Sequence, residues 1–251
     1  MARTDSLKNF LTDIANSIKR KSGITEPILA VDFDKEIDNL SSSYMPRQIS
    51  FAGYEGEELD DELSKLSFDN ITSMKYMFYN CQKLKRVDLS NFSFPSINNI
   101  GYMFYNCTSL VYANLKSLNT SNVTILAYLF NQCTSLEEID LSNFDTSNVT
   151  SMERVFFGCS NLKRINLSSW NTIKVTSMTY MFANCSKLER LDIRNFDFSK
   201  VDSNGTYLMF SGVPKNCLII VKDDALKTKV QKVFGTATNI KSVAELTDEE
   251  L

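Results

Sequence analysis

Five cysteines, Cys81, Cys107, Cys133, Cys159 and Cys185, stand 26 residues apart, and no other feature of the chain restricts its fold as strongly. Phe78, Phe104, Phe130, Phe156 and Phe182 keep the same step, as do Leu84, Leu110, Leu136, Leu162 and Leu188. A third column runs Leu89, Leu115, Leu141, Leu167 and Ile193, and a fourth Ile71, Ile97, Val123, Val149, Val175 and Val201. A fixed period in this size range is the mark of a repeat architecture, in which each unit cannot bury its apolar face alone and must stack on its neighbours.

Within one unit, Leu162, Ile165 and Leu167 follow an L-x-x-L-x-L spacing that alternates at its end as a strand does, while Met152, Val155 and Phe156 recur at a helical step. Each unit therefore reads as a strand, a turn, a short extended piece and a helical turn. The expected fold is an α/β repeat: a leucine-rich-repeat β-solenoid of about five 26-residue coils, with a small N-terminal helical segment and a β-α-β-like C-terminal cap. The expected divisions are 1–45, a helical docking or oligomerisation segment, 46–216, the solenoid with its opening coil, and 217–251, the cap.

Composition restricts the function classes. With 43% apolar residues and 23% charged residues the chain can build a core, and a net charge of −3 with both signs interspersed provides no basic footprint for nucleic acid. No run approaches the roughly 20 apolar residues that cross a bilayer, and no apolar signal core follows the opening charges, so neither membrane insertion nor export by a leader is expected. The 26-residue cysteine spacing lacks the close pairs of zinc sites, and parallel side chains on a ladder point the same way. A column of buried free thiols is expected, with no metal and no cofactor. The chain contains no histidine, which removes the commonest general base and the Cys-His and Ser-His pairs. Paired carboxylates could serve glycoside hydrolysis, but Asp88, Asp140 and Asp192 repeat with the period as architectural residues do, and no enzymatic activity is expected.

The residues between the inward positions of the strand point outward. They form two columns, Arg86, Tyr112, Glu138, Arg164, Arg190 and Asp88, Asn114, Asp140, Asn166, Asp192, which are the candidate ligand-binding residues. The alternation of Asp and Asn dilutes a stack of like charge. Tyr76, Tyr102, Tyr128 and Tyr180 form a further partial column, interrupted by Arg154, read as a core edge with hydroxyls in water.

At the N-terminus Leu7, Phe10, Leu11, Ile14 and Ile18 share one face of a helix over about 6–22, and Phe33 and Ile37 mark a second short helix. Two such stripes cannot form a core alone, which makes these seven residues the candidate docking surface. Gln48 to Tyr54 reads as a first strand. Leu218–Val221 reads as a strand, followed by a helix opening at Asp223 or Asp224 and ending at Gly235, and the acidic stretch from Thr247 is expected to fray.

The motifs Leu141-Ser-Asn-Phe-Asp-Thr-Ser-Asn-Val-Thr-Ser-Met152 and Met181-Phe-Ala-Asn-Cys-Ser-Lys-Leu188 resemble the BspA-type leucine-rich repeat of bacterial surface proteins, in the variant common in mycoplasma and lactobacillus proteins. The segment from Arg3 to Ile18, continuing over Asp32–Ile37, resembles the N-terminus of tail-associated proteins from phages and prophages of Gram-positive bacteria. These resemblances imply a virion component that docks on other tail proteins, or on a second copy of itself, through residues 1–45. The solenoid would meet a glycan or protein of the bacterial surface. A bacterial surface adhesin, or a purely structural decoration of the virion, is the alternative.

Overall fold

In the computed structural model, which describes residues 50–57, 71–94, 97–235 and 239–250, the repeat forms a β-solenoid. Its strands are short: β1 (Arg86–Asp88), β2 (Tyr112–Asn114), β3 (Arg164–Asn166), β4 (Arg190–Asp192), β5 (Leu218–Val221) and β6 (Ile240–Ser242). All pairings are parallel, β1 with β2 in one sheet and β3-β4-β5-β6 in another. Corresponding residues of neighbouring coils sit opposite each other, Val87 against Ala113 and Ile165 against Leu191, so a 26-residue sequence step becomes a single strand spacing. The third coil departs from expectation: Glu138–Asp140 forms no strand and leaves the sheet divided.

The segment read as a helical turn is a ladder of tight turns. Met77, Tyr79 and Cys81 donate their amides three residues back, while Met74, Tyr76, Phe78 and Asn80 donate to carbonyls of the next coil. Helix is prevented by left-handed backbone at two places per coil. Tyr76, Tyr102, Tyr128, Arg154, Tyr180 and Leu208 hold one of them, and Asn80, Asn106, Gln132, Gly158, Asn184 and Gly212 the other, with φ between 49° and 77°. Asn and Gly at the second position suit that conformation; tyrosine at the first is held there by its ring contacts.

Columns of side chains fill the interior. Phe78, Phe104, Phe130, Phe156 and Phe182 are fully buried and stack with centroids 5.2–5.9 Å apart. Phe51 extends the stack at one end, 5.4 Å from Phe78, and Phe210 and Phe234 extend it at the other. Residues 50–54 are thus a degenerate copy of the turn ladder and not the expected strand: Phe51 donates to the Met77 carbonyl and Gly53 to that of Tyr79. All six cysteines are buried free thiols. From Cys81 to Cys185 each Sγ lies 3.0–3.2 Å from the carbonyl of a phenylalanine one coil back, a weak donor placed where an aliphatic side chain would offer none. Burial pushes the thiols of Cys133 and Cys185 upward and that of Cys159 to about 12, which keeps them protonated.

The C-terminal cap is the expected β-α-β unit. Helix α1 (Asp224–Phe234) is capped by Asp223, whose carboxylate accepts from the Leu226 amide, and is stopped at Gly235. The stretch read as fraying is fastened through Glu250, which receives the Lys241 ammonium at 2.6 Å and the Thr247 amide at 3.0 Å. Residues 1–49 and 58–70, with the two expected helices and the candidate docking residues, lie outside the described residues.

Candidate functional site

The outward face of the sheets is where side chains change from coil to coil while the core columns hardly vary. Along it Arg86 lies over the Tyr112 ring with its guanidinium carbon 4.2 Å from the centroid, and Glu138, Arg164 and Arg190 follow on successive coils. Arg164 and Arg190 are direct register partners on β3 and β4.

At the division between the sheets the face opens into a cleft of about 570 Å³ lined by Tyr112 to Lys116, Glu138 to Asp140, Arg164 to Asn166, and Arg190. Its floor includes Ile139, half-buried where its counterparts Val87, Ala113, Ile165 and Leu191 are buried. Ion pairs link the two ends of this segment to opposite neighbours. Glu137 meets Lys163 of the fourth coil at 2.7 Å, and Asp140 meets Lys116 of the second at 3.3 Å.

Seven of the predicted residues, Tyr112, Asn114, Glu138, Asp140, Arg164, Asn166 and Arg190, come together on this cleft. Arg86 supports Tyr112 from behind, and Asp88 lies away on the exposed end of β1. Asp192 does not belong to an exposed face: it is 4% exposed and held by Arg194, whose guanidinium approaches to 2.6 Å. A long cation two residues on covers the carboxylate there, whereas the equivalent partner elsewhere is a serine or, after Asn114, a lysine.

The Asp/Asn column has a local structural task that spacing alone did not reveal. Asp88, Asn114, Asp140, Asn166 and Asp192 each accept, at 2.8–3.3 Å, the amide two residues on, closing the turn after the strand. The serines that follow hold Asp88 and Asp140 below the usual carboxylate range, so Asp140 presents a fixed negative charge to the cleft and no proton. Lys116 and Ile139 were missed. Lys116 could have been found as the cation at a position held by serine in three other coils, Ser90, Ser142 and Ser168.

The tyrosine column is continuous in space. Tyr76, Tyr102 and Tyr128 succeed one another with centroids 5.0 and 4.4 Å apart, and the Arg154 guanidinium lies 5.4 Å from Tyr128 and 4.8 Å from Tyr180, so arginine bridges the stack it interrupts in sequence. The ring faces of Tyr102 and Tyr128 are thereby covered by neighbours, and the Tyr128 hydroxyl donates to Glu153 at 2.7 Å. This column is a seam of the solenoid and not a platform for a planar ligand. Among the described residues no helix is long and apolar enough to cross a membrane, and no group of His, Cys, Asp or Glu is arranged to hold a metal ion.

Comparison with known families returns a match to "Mycoplasma protein of unknown function, DUF285" over residues 33–138 and again over 106–220, two overlapping stretches that together take in the repeats and the whole cleft. No curated protein matches the chain.

Proposed function

Since the chain belongs to the mycoplasma repeat family DUF285, whose function is unknown, we propose from its geometry that it is a non-catalytic binding module whose recognition surface is the cleft at the divided sheet. One observation carries this reading. The parallel sheet is interrupted at the third coil, where variable outward side chains surround a concavity, and a repeat solenoid commonly uses such a face to bind. The charges are of both signs, and Asp140 is held ionised, which fits recognition of a polar surface molecule better than acid–base chemistry.

The ligand is proposed to be a component of a bacterial surface, glycan or protein. The test uses labelled full-length protein on a panel of Gram-positive cells, with Tyr112→Ala and Glu138→Lys beside the unaltered chain. Both substitutions lie on exposed positions, so thermal unfolding should be unchanged while cell binding falls at least tenfold. Equal binding by all three proteins, or by none, would defeat the proposal.

The finer assignment is a tail-associated virion protein that docks through residues 1–45 and presents the solenoid to the host, with a cell-surface adhesin as the second reading. It is supported by the resemblance of the Arg3–Ile37 region. Detection of the protein in purified particles released by lysis supports the first, and its detection on intact, unlysed cells supports the second.

A further inference from the structure

Arg164 and Arg190 face each other across β3 and β4, an arrangement of like charges that weakens a sheet when nothing lies between them. Their neighbours neutralise this poorly. Arg164 has Glu189 at 3.8 Å on a side chain that is 72% exposed, and among the described residues no carboxylate lies within ion-pair distance of Arg190. Glu137 and Asp140, the carboxylates at either end of the third-coil segment, are already engaged by lysines. The two arginines line one wall of the cleft, and their guanidiniums carry forked donors suited to a carboxylate, sulfate or phosphate.

Tyr112 stands at the opposite wall. Arg86 covers its ring from the first-coil side, which leaves the side toward the third coil to the cleft that Tyr112 lines. Between the two walls Glu138 offers an acceptor. From Tyr112 to Arg164 is two coil spacings, or about 10 Å. The order across the cleft is thus an aromatic face, an acceptor and a pair of guanidiniums.

We infer that the cleft binds an acidic polysaccharide, one sugar ring stacking on Tyr112, its hydroxyls donating to Glu138, and an anionic substituent of a following unit lying between Arg164 and Arg190. A polyanionic peptide fits less well, because it brings neither a sugar ring for Tyr112 nor hydroxyls for Glu138. This inference rests on the cleft being the recognition surface.

Isothermal titration of the full-length chain with size-defined oligogalacturonate, a heparin-derived oligosaccharide and a phosphomannan-derived oligosaccharide separates carboxylate, sulfate and phosphate as the anion. Maltohexaose and poly-glutamate are the neutral and peptide controls. At least one of these anionic oligosaccharides should bind, more weakly as salt is raised, with maltohexaose and poly-glutamate at least tenfold weaker. Arg190→Ala and Arg164→Ala should each lower that affinity about tenfold, and Tyr112→Ala should weaken the oligosaccharides more than free inorganic phosphate. Binding of none of the three polyanions, equal binding of maltohexaose or poly-glutamate, or indifference to both arginine substitutions would overturn the inference. Cell binding that still depends on Tyr112 and Glu138 in that case leaves the recognition surface in place and removes only its ligand class; cell binding indifferent to both removes the surface itself.

Discussion

At the scale of single residues, the solenoid depends on side chains that repeat their contacts coil after coil. Phe130 lies wholly buried between Phe104 at 5.3 Å and Phe156 at 5.9 Å. Phe130→Ala should cost about 3–5 kcal/mol by leaving a cavity in a stack that cannot close without shifting the coils on either side. The measurement is the urea unfolding midpoint, and a loss below about 1 kcal/mol would contradict a packed column. The in-phase members of this column were legible from their spacing. Phe51 and Phe210 were not, because they stand 27 and 28 residues from their neighbours in the stack, and only the backbone hydrogen bonds of the turn ladder reveal the equivalence. Arg154 was misread in the same way: as a letter it breaks a tyrosine column, yet a planar guanidinium stacks on aromatic rings much as another ring would.

At the scale of the element, the coils are clipped together by buried side-chain hydrogen bonds as well as by strands only three residues long. Thr120, Thr146 and Thr172 are buried, and each hydroxyl both donates to the carbonyl and accepts from the amide of one residue in the next coil, Asp145, Asn171 and Asp197 respectively. Thr146→Val keeps the shape and removes the polar atom, leaving the Asn171 amide and carbonyl without that partner. It should cost about 2 kcal/mol, whereas Thr146→Ser should recover most of the loss. Hydrogen exchange of the Asn171 amide is the sensitive check, since its protection should fall in the valine variant alone. The expected helical turn failed at this scale too. A three- and four-residue apolar step is shared by a helix and by successive turns, and left-handed backbone at two positions of every coil excludes the helix.

At the scale of the whole molecule, stability should be bounded on both sides of neutrality. Serines two residues on hold Asp88, Asp140, Asp145 and Asp197 below the usual carboxylate range, and Lys241 with Thr247 holds Glu250 down to about 2. Groups depressed in the folded state stabilise it above their unfolded pKa of about 4, and that contribution is lost as pH falls through their folded values, about 2 for Glu250. The buried thiols other than Cys81 act in the opposite sense. Cys159 and Cys217 are raised to about 12 by desolvation, so the unfolded chain gains by ionising above about pH 8.5 while the folded one does not. The urea midpoint should be flat between about pH 5 and 8 and decline on either side, and replacing Cys159 by Ala should soften the alkaline limb without moving the acid one. By itself the sequence determined the period, the coil-on-coil stacking, the buried thiol column and the β-α-β cap, because those follow from apolar residues recurring at one fixed step. Only the tertiary structure decided which coil leaves the sheet, where the cleft opens and that Asp192 is buried, because the first two depend on register between residues a full turn of the solenoid apart, and the last on how the Arg194 side chain folds back over a carboxylate two residues before it.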